Sequence, residues 1–258
     1  MGNHADDEML NPAFHRTALI FGKEGLTLFN NTTVAVVGLG GVGSAAAELL
    51  IRSGIGTLKI IDFDRINTSN INRQLPALTS TIGEYKCEVL KARLQDINPA
   101  ARVIAHREFC AKDNRGAMLS DVDFIVDAID SLGPKSGLIE YAYHEKIRII
   151  SCMGVANRID PSQIALADIE EVRGCPLANR IKKYLRKRGI ERGIPVVYST
   201  EQPVKLHYIA DNREEPSLLR GRMREKLGST SYLPTILAGW AVSYLLRNIA
   251  FGSSLYQS

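Results

Sequence analysis

Between residues 38 and 86 the chain gathers the residue types that hold a phosphorylated nucleotide. GLGGVG, with Gly38, Gly40, Gly41 and Gly43, follows the apolar run VAVV and precedes SAAAELLIRSG. A glycine turn between a strand and a helix lets backbone N–H groups approach phosphate oxygens, and the helix N-terminus adds roughly half a positive charge. Asp62, at the end of the next apolar run, is placed to accept hydrogen bonds from ribose hydroxyls. To this point a dinucleotide site and an ATP site are served equally.

The stretch DFDRINTSNINRQ distinguishes them. Asp64, Asn70, Arg73 and Gln74 crowd the crossover that leaves the second strand, and Lys86 follows on the next helix. NAD has no need of them, whereas Arg73 and Lys86 could neutralise a triphosphate and stabilise charge moving onto leaving pyrophosphate. Either cation alone reads as a solvated surface residue; together with the glycine turn they read as a phosphate site. Farther on, DAIDS brings Asp127 and Asp130 to the carboxyl end of a strand, where open α/β sheets bind ligands. Asp130 is a candidate magnesium anchor, because Mg2+ takes few protein carboxylates and completes its shell with water and phosphate oxygens. Helix capping, the competing role, suits Asp127 poorly because it lies inside the apolar run.

The elements that must position these groups are legible as a βαβ rhythm. TTVAVV, TLKIID, RVIAH, DFIVDAID and IRIIS are short β-branched runs, and helix-period segments follow from Val42, around 84–97 and after Pro134. Val42, Ala45, Ala46, Leu49 and Leu50 form one helical stripe; Cys87, Leu90, Leu94 and Ile97 form another. The fold class expected is a Rossmann-like α/β sheet, mostly parallel and flanked by helices. After about residue 155 the rhythm loosens, apart from the short strand PVVYS. We therefore expect one domain over 1–258, with a core at about 14–155 and a C-terminal covering subdomain at about 156–258. The polar stretch DNREEPSLLRGRMREK is expected to be a mobile loop.

With 258 residues and a net charge of +4, the chain can bury a substantial core and permits an anionic partner without requiring one. Cys87, Cys110, Cys152 and Cys175 include no Cys-x-x-Cys pair, which argues against structural zinc. The acidic start MGNHADDEML lacks the apolar run of a signal peptide, so reduced thiols in the cytoplasm are expected. The uncharged segment 227–246 approaches bilayer length, but Pro234, Gly239 and its hydroxylated residues favour a packed helix over membrane association. Trp240, Leu245, Leu246 and Ile249 would supply its packed face.

GLGGVG, IIDFD, SNINRQ, GEYKCEV, DINP and VDAIDS, in that order, resemble the ThiF/MoeB/E1 family of adenylating enzymes over roughly residues 14–170. The resemblance implies a homodimer that binds ATP and Mg2+ and transfers AMP to a carboxylate. By motif position it implies that Asp62 holds ribose, Arg73 and Lys86 the phosphates, and Asp130 the metal, with Asn70 and Gln74 in the surrounding network. FHRTALIFGKEGL is similar to the family segment that lends an arginine to the partner copy's ATP, which makes Arg16 the candidate; its plain alternative is a surface arginine.

Within the family, sulfur-carrier activating members carry two Cys-x-x-Cys zinc pairs that this chain lacks. RIDPSQIALADI, GCPLANRIKKYLRKRGI, VVYSTE and GSTSYLPTILAGW instead resemble the tRNA threonylcarbamoyladenosine dehydratase branch. That branch implies adenylation of a carboxylate on tRNA, followed by ring closure, and leaves room for a cysteine desulfurase-type partner. It also implies tRNA contact for the basic run Arg180, Lys182, Lys183, Arg186, Lys187, Arg188 and Arg192, which has only Glu191 as acidic company. A solvated helix face is the alternative for that run. Arg220, Arg222 and Arg224 could add to the surface. Three other functions remain open from sequence: activation of a sulfur-carrier or ubiquitin-like protein, noncatalytic ATP binding, and, last, NAD-dependent oxidoreduction.

Overall fold

A computed structural model describes residues 11–207 and 227–252. Among the described residues seven strands form a single sheet: β1 (Thr33–Val37), β2 (Thr57–Ile61), β3 (Arg102–His106), β4 (Phe124–Asp127), β5 (Arg148–Cys152), β6 (Ile164–Asp168) and β7 (Pro195–Ser199). Their spatial order is β3-β2-β1-β4-β5-β7-β6, with every neighbour parallel except β6, which runs antiparallel to β7. The strand order reverses between β1 and β4, so the loops leaving those two strands part at the carboxyl edge and leave the crevice in which such sheets bind ligands.

Alternate strand residues face opposite helical layers. Val34, Val36, Leu58, Ile60, Phe124 and Val126 pack against α2 (Gly41–Arg52), α3 (Lys86–Ile97) and α7 (Leu233–Phe251), while Ala35, Val37 and Ile125 pack against α4 (Lys112–Leu119), α5 (Leu132–His144) and α6 (Pro176–Arg186). The remaining helix, α1 (His15–Asn30), lies against α7 and breaks helical geometry at Gly22, whose φ is 75°. The expected strands of the first half are all present, and Pro134 falls inside the first turn of α5, where its missing N–H is an orphan donor in any case.

The second half does more than cover the first. β6 and β7 extend the same sheet, and α7 returns to pack along α2, so the last described helix completes the core around the first glycine turn. Leu245 and Leu246 are buried there, as expected, and Ile249 is partly buried, but Trp240 is 41% exposed and turns away from the packed face. Among the described residues no helix is long and apolar enough to cross a membrane. The stretch 211–226, with Arg220, Arg222 and Arg224, lies outside the described residues.

Candidate active site

The turn after β1 is held by close backbone approaches. Gly38 has φ 89°, in the left-handed region that favours glycine, and its N–H donates to Ile61 O at 2.9 Å. A Cβ on Gly43 would stand 1.7 Å from Gly38 O, and one on Gly41 would meet Pro234 Cβ at 2.9 Å and Arg73 O at 3.1 Å. A Cβ on Gly40 would meet nothing within 4 Å among the described residues. Three glycines are thus required by packing, whereas Gly40, at the N-cap of α2, offers its backbone to an approaching ligand.

Asp62 ties this turn to β2. Its Oδ2 accepts from Leu39 N at 2.6 Å and its Oδ1 from Asp64 N at 2.7 Å. Burial pushes the carboxyl upward in pKa, with the nearby Lys86 ammonium pulling the other way. Each oxygen keeps a second lone-pair direction for a ribose hydroxyl. Lys86, buried at the first turn of α3, donates from Nζ to Asp64 Oδ2 at 2.8 Å. Arg65, just beyond Asp64, lies 3.8 Å over the Tyr85 ring and bonds Gly83 O, which fixes the approach to α3.

The crossover segment packs on the start of α2. Asn70 closes a capping box around a short 3-10 turn by accepting from Asn67 N, and Arg73 Nη1 donates to Ser69 O and to Asn72 Oδ1. Leu75 N reaches Ser44 Oγ at 3.4 Å, so Gln74 lies beside the glycine turn. Gln74 is buried, and among the described residues its Oε1 has no hydrogen-bond partner. Such an atom costs free energy unless something pairs with it.

Asp130 is exposed beyond β4 and accepts from Ser131 Oγ at 3.1 Å. Asp127, which the sequence places beside it at the same edge, is fully buried and paired with Lys135 at 2.9 Å. Arg16 is exposed on α1, beside Leu19 and Ile20, which are 74% and 75% exposed. Of the basic run on α6 and just beyond its end, two members have internal partners. Lys182 Nζ donates to Val172 O at 2.6 Å and is lowered in pKa by burial and by Arg173 and Arg186; Arg188 pairs with Glu140 and stacks over Tyr184. Lys183, Arg186 and Lys187, with Asn179 and Lys182, line a shallow concavity of about 580 Å³. Arg180 is exposed on the same helix. Among the described residues no cluster of three metal-ligating side chains occurs.

Sequence reasoning missed Lys135, whose only signal is a lysine in the first turn of the helix after DAIDS, and Asn72, whose Nδ2 reaches Ser229 O across the fold.

The model of the ThiF family matches residues 14–253. The chain belongs to the ThiF family. It is 38% identical to the tRNA threonylcarbamoyladenosine dehydratase of Bacillus subtilis, over 92% of this chain and 95% of that protein. The Escherichia coli protein of the same name is also 38% identical, over 73% of each chain. A crystal structure of E. coli TcdA in complex with ATP matches 95% of this ThiF-family chain and 96% of its own, with a TM-score of 0.81 and 32% identity. The seven-stranded, mostly parallel sheet of this chain thus matches the fold of that TcdA structure.

Proposed function

We propose that this chain is an ATP-dependent tRNA threonylcarbamoyladenosine dehydratase. The observation that carries the reading is the turn at Gly40, where an added Cβ would meet nothing within 4 Å among the described residues, in a chain 38% identical to a protein of that name over 92% of its length. The substrate carboxylate oxygen attacks the α-phosphorus of ATP and pyrophosphate leaves. A nitrogen of the same modification then attacks the acyl carbon, and AMP departs with the former carboxylate oxygen. A ring closes and the net loss is one water. Tethering of the attacking nitrogen supplies much of the second step without a protein nucleophile.

In this reading the N–H groups at Gly40 and Gly41 meet phosphate oxygens, Asp62 holds ribose, and Arg73 and Lys86 take up charge on the departing pyrophosphate. Asn70 and Asp64 hold that set in place. Mg2+ at Asp130 would neutralise phosphate charge; one exposed carboxylate at the sheet's carboxyl edge suits a metal that is otherwise held by water and phosphate. Arg180, Lys183, Arg186 and Lys187 offer cations to the tRNA backbone, while Lys182 and Arg188 hold α6 to the protein.

The active form is a homodimer in which Arg16 reaches the other copy's ATP; the exposed Leu19 and Ile20 at i+3 and i+4 from Arg16 support an apolar contact on that helix face. We place the protein in the cytoplasm, a compartment in which tRNA is available. No feature of the described residues speaks for a desulfurase-type partner.

The test is ATP–pyrophosphate exchange with purified protein. Exchange and AMP release with threonylcarbamoylated tRNA, together with loss of 18 mass units from the nucleoside (about one water, the net change of acyl activation and ring closure), supports the proposal. Exchange driven only by a Gly-Gly-terminated carrier protein would replace it, and ATP binding without turnover would leave a sensor.

A further inference from the structure

Asp127 and Lys135 are both fully buried, 2.9 Å apart, and no step above uses them. Taking two charges out of water is costly, and an apolar pair of similar volume is often at least as stable, so stability alone does not account for them. Their remaining hydrogen bonds do. Lys135 Nζ also donates to Asp127 O at 3.3 Å and to Ile129 O at 3.0 Å, which with the carboxylate gives an acceptor to each of its three protons. Asp127 Oδ1 accepts from Ile129 N at 3.1 Å, and Oδ2 accepts from Ser151 Oγ at 2.6 Å.

Most of these bonds converge on the backbone of residues 127–129, and that backbone is pressed against the glycine turn. A Cβ on Gly38 would lie 2.9 Å from Ala128 O and 3.2 Å from Ile129 N, and one on Gly43 would lie 3.2 Å from Ala128 Cβ. The next residue is Asp130. One ammonium therefore joins the end of β4, the first turn of α5 and the peptides on which the glycine turn rests.

We propose that Asp127 and Lys135 are positioning residues: the buried pair clamps the 128–129 peptides against Gly38, and so sets both the shape of the glycine turn and the direction in which Asp130 leaves the sheet. The consequence for ligand binding rests on the reading of this edge as an ATP site.

Lys135→Met alone would strand a buried carboxylate and could lose the fold for that reason. The informative variant is Asp127→Asn with Lys135→Met, which is neutral, similar in volume and keeps an acceptor for Ile129 N. Amide hydrogen exchange is compared between peptides covering 128–131 and those covering β1, and ATP affinity is measured by calorimetry without tRNA. We expect cooperative unfolding to persist, exchange at 128–131 to quicken while β1 stays protected, and ATP affinity to fall about tenfold. Unchanged protection at 128–131 in the folded variant overturns the clamp. If the double variant does not fold, Ser151→Ala keeps the ion pair while removing one bond to Asp127; faster exchange confined to 128–131 supports the clamp, and no change overturns it. Wild-type protein that fails to bind ATP would defeat the nucleotide reading, while the exchange comparison would still decide the clamp.

Discussion

Lys86 Nζ lies 2.8 Å from Asp64 Oδ2, so the cation proposed to meet ATP phosphates already has a carboxylate partner. Lys86 is buried and Asp64 is partly exposed, so the pair sits at the mouth of the core. Removing the lysine removes the charge stabilisation in the transition state, and Lys86→Met should lower pyrophosphate exchange about 10²–10³-fold. Asp64→Asn instead leaves Lys86 without its anion, which bound phosphate would restore. The rise in Tm on adding saturating ATP should therefore be larger for Asp64→Asn than for wild type, and equal rises would argue that phosphates do not reach Lys86.

The glycines separate packing from binding. Gly43→Ala places a methyl 1.7 Å from Gly38 O, backbone that cannot yield cheaply, so a loss of about 1–3 kcal/mol in stability is expected, together with loss of ATP binding. Gly40→Ala has room for its methyl and should unfold within a few degrees of wild type. If phosphate lies over that turn, the same methyl should weaken ATP binding about tenfold or more, which calorimetry reads directly. Normal ATP affinity in Gly40→Ala would move the phosphates elsewhere.

Much of this edge could be read from the sequence because its signals are local. A glycine turn between a β-branched run and a helical stripe, and an aspartate ending the next run, have periodicities that do not depend on the rest of the fold. The Asp127–Lys135 pair is invisible at that level, since neither residue type announces burial and their contact spans a strand end and the following helix. Gln74 is singled out by the sequence as part of the nucleotide-site network, but its burial shows only once its neighbours enclose it. β6 lies at the sheet edge, with only Ile164 fully buried, so it lacks the continuous apolar run of a central strand. Trp240 falls on the wrong side of the sequence-based packed face because α7 is apolar nearly all round, which leaves periodicity without a contrast from which to choose a buried face.

Cysteine chemistry should be dispensable. Burial pushes the Cys152 thiol up to about 12, against a smaller opposing pull from Lys135. A thiol held protonated in this way is a poor nucleophile at neutral pH. Cys175 is buried as well, at the N-cap of α6. Cys152→Ala and Cys175→Ala should each keep most of the turnover, and iodoacetamide should leave Cys152 unlabelled in the folded protein. Loss of turnover in either variant with the fold intact would require a thioester route.

The α6 surface should govern tRNA affinity and its salt dependence, not adenylation chemistry. Replacing Arg180, Lys183, Arg186 and Lys187 together by Gln removes cations whose side chains form no ion pair among the described residues. The slope of log affinity against log salt should become shallower by about three, at about 0.7–0.9 for each phosphate no longer neutralised. KM for tRNA should rise, while kcat at saturating tRNA and ATP affinity stay close to wild type. An unchanged salt slope would show that the backbone docks on another face.

Arg16 is the residue whose role only a mixed oligomer can decide. It is exposed on α1 beside Leu19 and Ile20, so within one chain it reads as a surface arginine. If it serves the other copy's ATP, Arg16→Ala and Arg73→Ala should each be inactive alone, because every site then lacks one arginine. In a hybrid dimer the Arg16→Ala chain keeps its own Arg73 and receives Arg16 from its companion, which makes one site whole. Random mixing yields about half hybrids with one good site of two, so about a quarter of wild-type activity should return after the subunits are exchanged. No recovery in a mixture shown by native mass spectrometry to contain hybrids would return Arg16 to the plain surface role, and recovery before subunit exchange would point to contamination instead of complementation.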